Sequence, residues 1–142
     1  MPILRHQRLF HSQKGFTLIE LMITLAIISI LSTLLIPKFS NIQNKAKETH
    51  LKSTIHTLQL AIESYQLSKG NYPQSTQIST LINTLITNSE LPQIPINPFT
   101  GQPSTDNDTS GKIQYTYNSE TNKYSLSAYG QNGSTPIITI TN

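Results

Sequence analysis

The chain is 142 residues long, carries a formal charge of +3 with a pI near 9.2, and has no cysteine. That length suits one domain, and the absence of thiols excludes disulfides, a cysteine nucleophile and cysteine-held metal. Charged residues are only 12% of the chain while 56 residues are Ser, Thr, Asn or Gln, so the surface is mostly neutral, and a nucleic-acid or anionic-membrane partner depends on where the basic charge sits.

Residues 1–15 are short, polar and basic, with Arg5, Arg8 and Lys14, His6 and His11, and no acid. They end at Gly15. Phe16 to Ile36 then forms an apolar run of 21 residues whose only charge is Glu20. As a helix it spans roughly 31 Å, about one hydrocarbon core, which predicts a transmembrane helix. A cleaved secretory signal has a shorter apolar region, ~7–15 residues, and small residues before its cut; Leu34-Leu35-Ile36-Pro37 does not fit. Loop charge leaves the orientation open, because Arg5, Arg8 and Lys14 on one flank face Lys38, Lys45, Lys47 and Lys52 on the other.

Pro37 removes a helix bond and kinks the axis, yet a helical pattern resumes behind it. Phe39, Ile42 and Ala46, then Ile55, Leu58, Ile62 and Tyr65, predict one apolar stripe on an amphipathic helix. Lys69-Gly70 and Pro73 end it. One long helix of ~80 Å, kinked at Pro37, is expected; the alternative is a boundary between two helices. Ser75 or Thr76 is placed to cap a second helix with its apolar face at Ile78, Leu81, Ile82, Leu85 and Ile86. Residues 91–111 are rich in proline and read as loop. Ile113, Tyr115 and Tyr117 alternate, as do Tyr124, Leu126 and Ala128, around a turn at 118–123, and Ile137, Ile138 and Ile140 suggest a third strand. The expected fold class is α+β: a long N-terminal transmembrane and amphipathic helix packed on a small antiparallel sheet.

Lys14-Gly15-Phe16-Thr17-Leu18-Ile19-Glu20 resembles the processing site of type IV pilins and type II secretion pseudopilins. The resemblance implies that a prepilin peptidase cuts after Gly15 and that the new amine of Phe16 is methylated. Glu20 and Pro37 are then the fifth and twenty-second mature residues, as that family has them. Physical reasons stand beside the resemblance. Glycine leaves room for a protease cleft, and a basic leader is held in the cytoplasm by anionic lipid, which sets the orientation. A carboxylate in an apolar span costs roughly 2.5–3.5 kcal/mol near its centre and less toward an end, so it marks a functional residue. The expected partner of Glu20 is the Phe16 amine of a neighbouring subunit; the alternative is an acid snorkelling to the membrane surface.

Asn97-Pro98-Phe99-Thr100-Gly101, Gly70-Asn71-Tyr72-Pro73 and Tyr124 to Gly133 resemble segments of the major, G-type pseudopilin. The resemblance also implies calcium, held by acids in the loop after the late strand. Here that loop is Gln131-Asn132-Gly133-Ser134, with no acid from Gly130 to Asn142. A second candidate is Asp106-Asn107-Asp108-Thr109-Ser110-Gly111, which has the first half of an EF-hand pattern but Tyr117 where glutamate should close it. Asp106 and Asp108 are thus either calcium ligands or part of a solvated turn. The alternating tyrosines are either a ligand platform or half-buried strand residues with wet hydroxyls. His50 and His56 lack helical metal-pair spacing and are expected on the surface. No motif points to an enzyme.

The expected organisation is a leader at 1–15, a transmembrane and assembly helix at 16–36, and an amphipathic helix with a periplasmic head at 37–142. The expected protein is a single-pass subunit of the bacterial inner membrane. It would homopolymerise, with minor pseudopilins, an inner-membrane platform and lipid as further partners, into a secretion pseudopilus. A minimal type IV pilus subunit (adhesion, motility or DNA uptake) and an anchored binding domain that never polymerises are the alternatives. Without the leader, 7 basic and 7 acidic side chains remain. The positive charge is then a targeting feature, and no nucleic-acid partner is expected.

Overall fold

The computed structural model describes residues 15–142, with the side chains of residues 35–37 outside the described residues. The leader, Gly15 excepted, also lies outside them. The chain forms two compact units, one ending at Phe39 and the other spanning Ser40–Asn142. Helix α1, Leu18–Lys69, contributes to both.

In the first unit α1 is apolar on every side. Leu18, Met22, Leu25, Ile28 and Leu34 are all more than half exposed. Its hydroxyls turn inward: Thr24 donates to Leu21 O at 2.8 Å, and Ser29, Ser32 and Thr33 donate to carbonyls three or four residues back at 2.7 Å each. Such back-bonding satisfies a hydroxyl that has no water. No single straight helix is long and apolar enough to cross a membrane among the described residues; Leu18–Leu34 and Lys38–Lys69 meet the criterion only together. The helical backbone continues through Pro37, whose side chain lies outside the described residues.

In the second unit α1 buries Leu51, Ile55, Leu58 and Ile62 completely. This corrects the expected stripe, because Ile42 is 65% exposed. Thirteen residues separate Ile42 from Ile55. At ~3.6 residues per turn that is a rotation of about 220°, so the two lie on nearly opposite sides. Helix α1 ends as expected, with Gly70 at φ +83 and its N–H donating to Gln66 O at 2.8 Å.

Helix α2, Ile78–Thr87, turns Ile78, Leu81, Ile82 and Leu85 into the same core. Its N-cap is Gln77, which makes no side-chain cap bond. The predicted capping by Ser75 or Thr76 fails because Ser75 closes its own turn, accepting from Gln77 N–H at 3.1 Å and donating to Gln77 O at 2.8 Å. Strands β1 (Ile113–Asn118), β2 (Lys123–Tyr129) and β3 (Pro136–Thr141) form an antiparallel sheet in the order β1-β2-β3. Tyr115 pairs with Leu126 and Tyr117 with Tyr124, and a bulge at Ala128/Tyr129 shifts the pairing of β3. Ile113, Tyr115, Tyr124, Leu126 and Ala128 complete the core. The fold is the expected α+β, a long N-terminal helix with a small antiparallel sheet.

Candidate processing and assembly site

Residues 15–17 precede the helix without regular structure. A side chain at Gly15 would meet nothing within 4 Å, and Phe16 is 94% exposed. The Gly15–Phe16 bond is therefore open to an extended cleft. Behind it, Thr17 and Glu20 form a reciprocal capping box. Glu20 N–H donates to Thr17 Oγ1 at 3.2 Å, and Thr17 N–H and hydroxyl both donate to Glu20 Oε2 at 2.8 Å. The Thr-x-x-Glu spacing of this box is visible in the sequence. The box holds the carboxylate at the helix start through Oε2 and leaves Oε1 unused by Thr17.

The second candidate pair does not converge. Asp106 turns to α2, where Oδ1 accepts from Ser79 N–H at 3.3 Å and Oδ2 accepts from the Ser79 hydroxyl. It is thus a remote N-terminal cap, reaching across 27 residues. The Ser79 hydroxyl, then its N–H, hold the Asp106 carboxyl below the ordinary carboxylate range. Asp108 instead accepts from Thr105 N–H at 3.0 Å and the Thr105 hydroxyl at 3.2 Å. Among the described residues, no three His, Asp or Glu side chains gather to hold a metal.

The tyrosines are not a wet platform. Tyr115 and Tyr124 are buried, and their rings stack at 5.8 Å. The Tyr115 hydroxyl donates to Pro73 O at 2.9 Å. Tyr124 and Tyr72 donate to the two oxygens of Glu63 at 2.7 and 3.0 Å. Burial raises the hydroxyls of Tyr115 and Tyr124 above the ordinary tyrosine value, and the Glu63 carboxylate raises Tyr124 further. Glu63 joins α1 to β2 and was missed, since nothing local in the sequence marks it. Tyr117 and Tyr129 remain half-buried, and His50 and His56 are exposed as expected. Asn97 is fully buried: Nδ2 donates to Ser110 O at 2.8 Å and Oδ1 accepts from Phe99 N–H at 2.9 Å.

A capped apolar helix entered through an open Gly-Phe junction, followed by a small α+β head, defines the pilin-like class. Residues 10–36 match the prokaryotic N-terminal methylation motif. The chain belongs to the family of type II secretion system protein G, which matches residues 38–136. It is 35% identical over 81 residues to the type II secretion system core protein G of Klebsiella michiganensis, covering 57% of this chain and 55% of that one. It is 37% identical over 65 residues to the core protein G of Pseudomonas aeruginosa, 46% of each chain. The type IV major pilin protein PilA of Myxococcus xanthus is 39% identical over 69 residues, 49% of this chain and 31% of that one. The chain spans about half the length of the core protein G relatives it matches. No solved structure matches it.

Proposed function

We propose that this chain is the major structural subunit of a type II secretion pseudopilus. It would be made as a membrane-anchored precursor, cut after Gly15 by a prepilin peptidase, and methylated on Phe16. Its apolar helix would anchor it in the inner membrane with the head in the periplasm until assembly. The carrying observation is the exposed Gly15–Phe16 junction directly ahead of the Thr17–Glu20 box on a helix apolar all round. A solitary helix of this kind has no place in water; it needs lipid or copies of itself. Cleavage puts a positive amine four residues from Glu20, and the Glu20 of a neighbour neutralises it. That pairing sets the axial register, and packing of the apolar helices supplies cohesion.

Glu20→Ala tests this reading. The expected product is processed and membrane-inserted but does not join filaments, so sheared filament yield falls to background. Wild-type filament yield from Glu20→Ala would overturn the pairing. The likeness to a major type IV pilin over 69 residues supports a second reading, a type IV pilus subunit. Filaments that form with a pilus assembly platform and not with a secretion platform would favour it.

A further inference from the structure

The family resemblance implies calcium in the loop after β2, and the donors there can be tested against that ion. The loop carries Gln131, Asn132, Gly133 and Ser134 and no acid. One carboxylate reaches it: Glu48 of α1 lines a cavity of about 220 Å³ with Asn44, Gly130, Asn132 and Thr135. Calcium takes about 6–8 oxygens, and its affinity rises with the number of charged ligands. A lone carboxylate among neutral amides is a poor match. Asp106 and Asp108 are already engaged by Ser79 and Thr105. The residues do not fit the ion.

The loop is nevertheless tied down. Ser110 Oγ donates to Gln131 O at 2.8 Å, and Gly111 N–H donates to Gly130 O at 3.2 Å. Gly133 N–H donates back to Gly130 O at 3.3 Å. Gly133 has φ +63, and its backbone passes so close to Thr109 O that a Cβ would collide with it. Buried Asn97 holds the other side through Ser110 O, and the Gly111 Cα lies against the Asn97 side chain. A bound cation orders a loop by giving several carbonyls one shared partner. Here Ser110 and Gly111 supply covalently fixed donors to Gln131 and Gly130, and no ion is needed.

We propose that a neutral hydrogen-bonded brace, built from Asn97, Ser110 and Gly111 against Gly130–Gly133, takes the place of calcium in ordering the loop ahead of β3. The order of the head is then independent of calcium supply. This inference rests on the head alone and stands whether or not the chain forms filaments.

The test uses the full processed chain in detergent micelles. Its melting is followed by near-ultraviolet circular dichroism, with calcium or a chelator at roughly 5 mM, above the weakest range for protein calcium sites. The expected melting temperatures agree within about 1 °C, and Ser110→Ala lowers both equally by roughly 4 °C. Hydrogen exchange at the Gly133 amide should also quicken in Ser110→Ala and not respond to the chelator. A calcium-dependent rise in melting temperature overturns the proposal, and its loss in Glu48→Gln would assign the ion to the Glu48 cavity. Unchanged Gly133 exchange in Ser110→Ala overturns the brace. The calcium comparison on the unaltered chain decides the matter even if Ser110→Ala does not fold.

Discussion

Removing the Glu63 carboxylate should be the most damaging polar change in the head. Glu63 accepts from Tyr124 at 2.7 Å and from Tyr72 at 3.0 Å, and the two rings lie 5.0 Å apart. Hydrogen bonds to a charged group contribute about 1.5–3 kcal/mol each. Glu63 is half-buried, so the lower end applies and two bonds give about 3 kcal/mol. Glu63→Ala also strands the hydroxyl of buried Tyr124. Tyr124→Phe removes one bond, leaves Glu63 paired with Tyr72, and should cost about 1.5 kcal/mol. At about 4 °C per kcal/mol for a head of this size, the losses are about 12 and 6 °C. Thermal melts of the processed chain, read from the tyrosine near-ultraviolet signal, measure both. A Glu63→Ala melt within about 2 °C of wild type would refute the reasoning, as would a Tyr124→Phe melt as low as that of Glu63→Ala. Alkali provides a companion measurement. Because Tyr115 and Tyr124 titrate above the ordinary tyrosine value in the folded state, their contribution is whole below about pH 10. It is lost as pH rises further, by up to about 1.4 kcal/mol per pH unit for each tyrosine. Tyr124→Phe should flatten that slope.

Gly15→Trp should leave a precursor that keeps its leader; a mass spectrum showing Phe16 at the N-terminus would refute it. Asp106→Ala should destabilise the head by about 1 kcal/mol through loss of the α2 cap, measured by denaturant unfolding. Since Ser79 holds the Asp106 carboxyl below its ordinary value, this contribution is present above about pH 4 and fades as pH falls. An Asp106→Ala variant with the same loss at low and neutral pH would contradict the cap. Gly111→Ala and Gly101→Ala form a matched pair, with φ of +70 and +71. Both incur the left-handed backbone cost of about 1–2 kcal/mol. Only at Gly111 would the new Cβ strike Asn97 and the Phe99 ring, so its loss should be larger by at least about 1 kcal/mol. Equal losses would show that the loops give way.

The processing motif, the apolar run, the end of α1 at Gly70, the apolar face of α2 and the pairing of β1 with β2 were all legible in the sequence. Each depends on a period or a turn signal contained within a few residues. The Thr17–Glu20 box was equally local, and the spacing Thr-x-x-Glu could have shown it. The phase of α1 was harder. Ile42 and Ile55 look like one stripe when steps of three and four are counted loosely, but the rotation accumulated between them puts them on nearly opposite faces.

Partners far apart in the chain were decided only by the tertiary structure. Asp106 caps α2 from 27 residues away, Tyr124 reaches Glu63 across 61, and Ser110 holds Gln131 across 21. A side chain's intrinsic chemistry says that a carboxylate wants donors, but not which donors docking will bring to it. By itself, the sequence determined what kind of chain this is, through a methylation motif at residues 10–36 and the apolar and alternating patterns behind it. Docking of α1, α2 and the sheet decided that Asp106 became a helix cap and Glu63 a tyrosine clamp, because the packed elements delivered hydroxyls and a backbone N–H group to them.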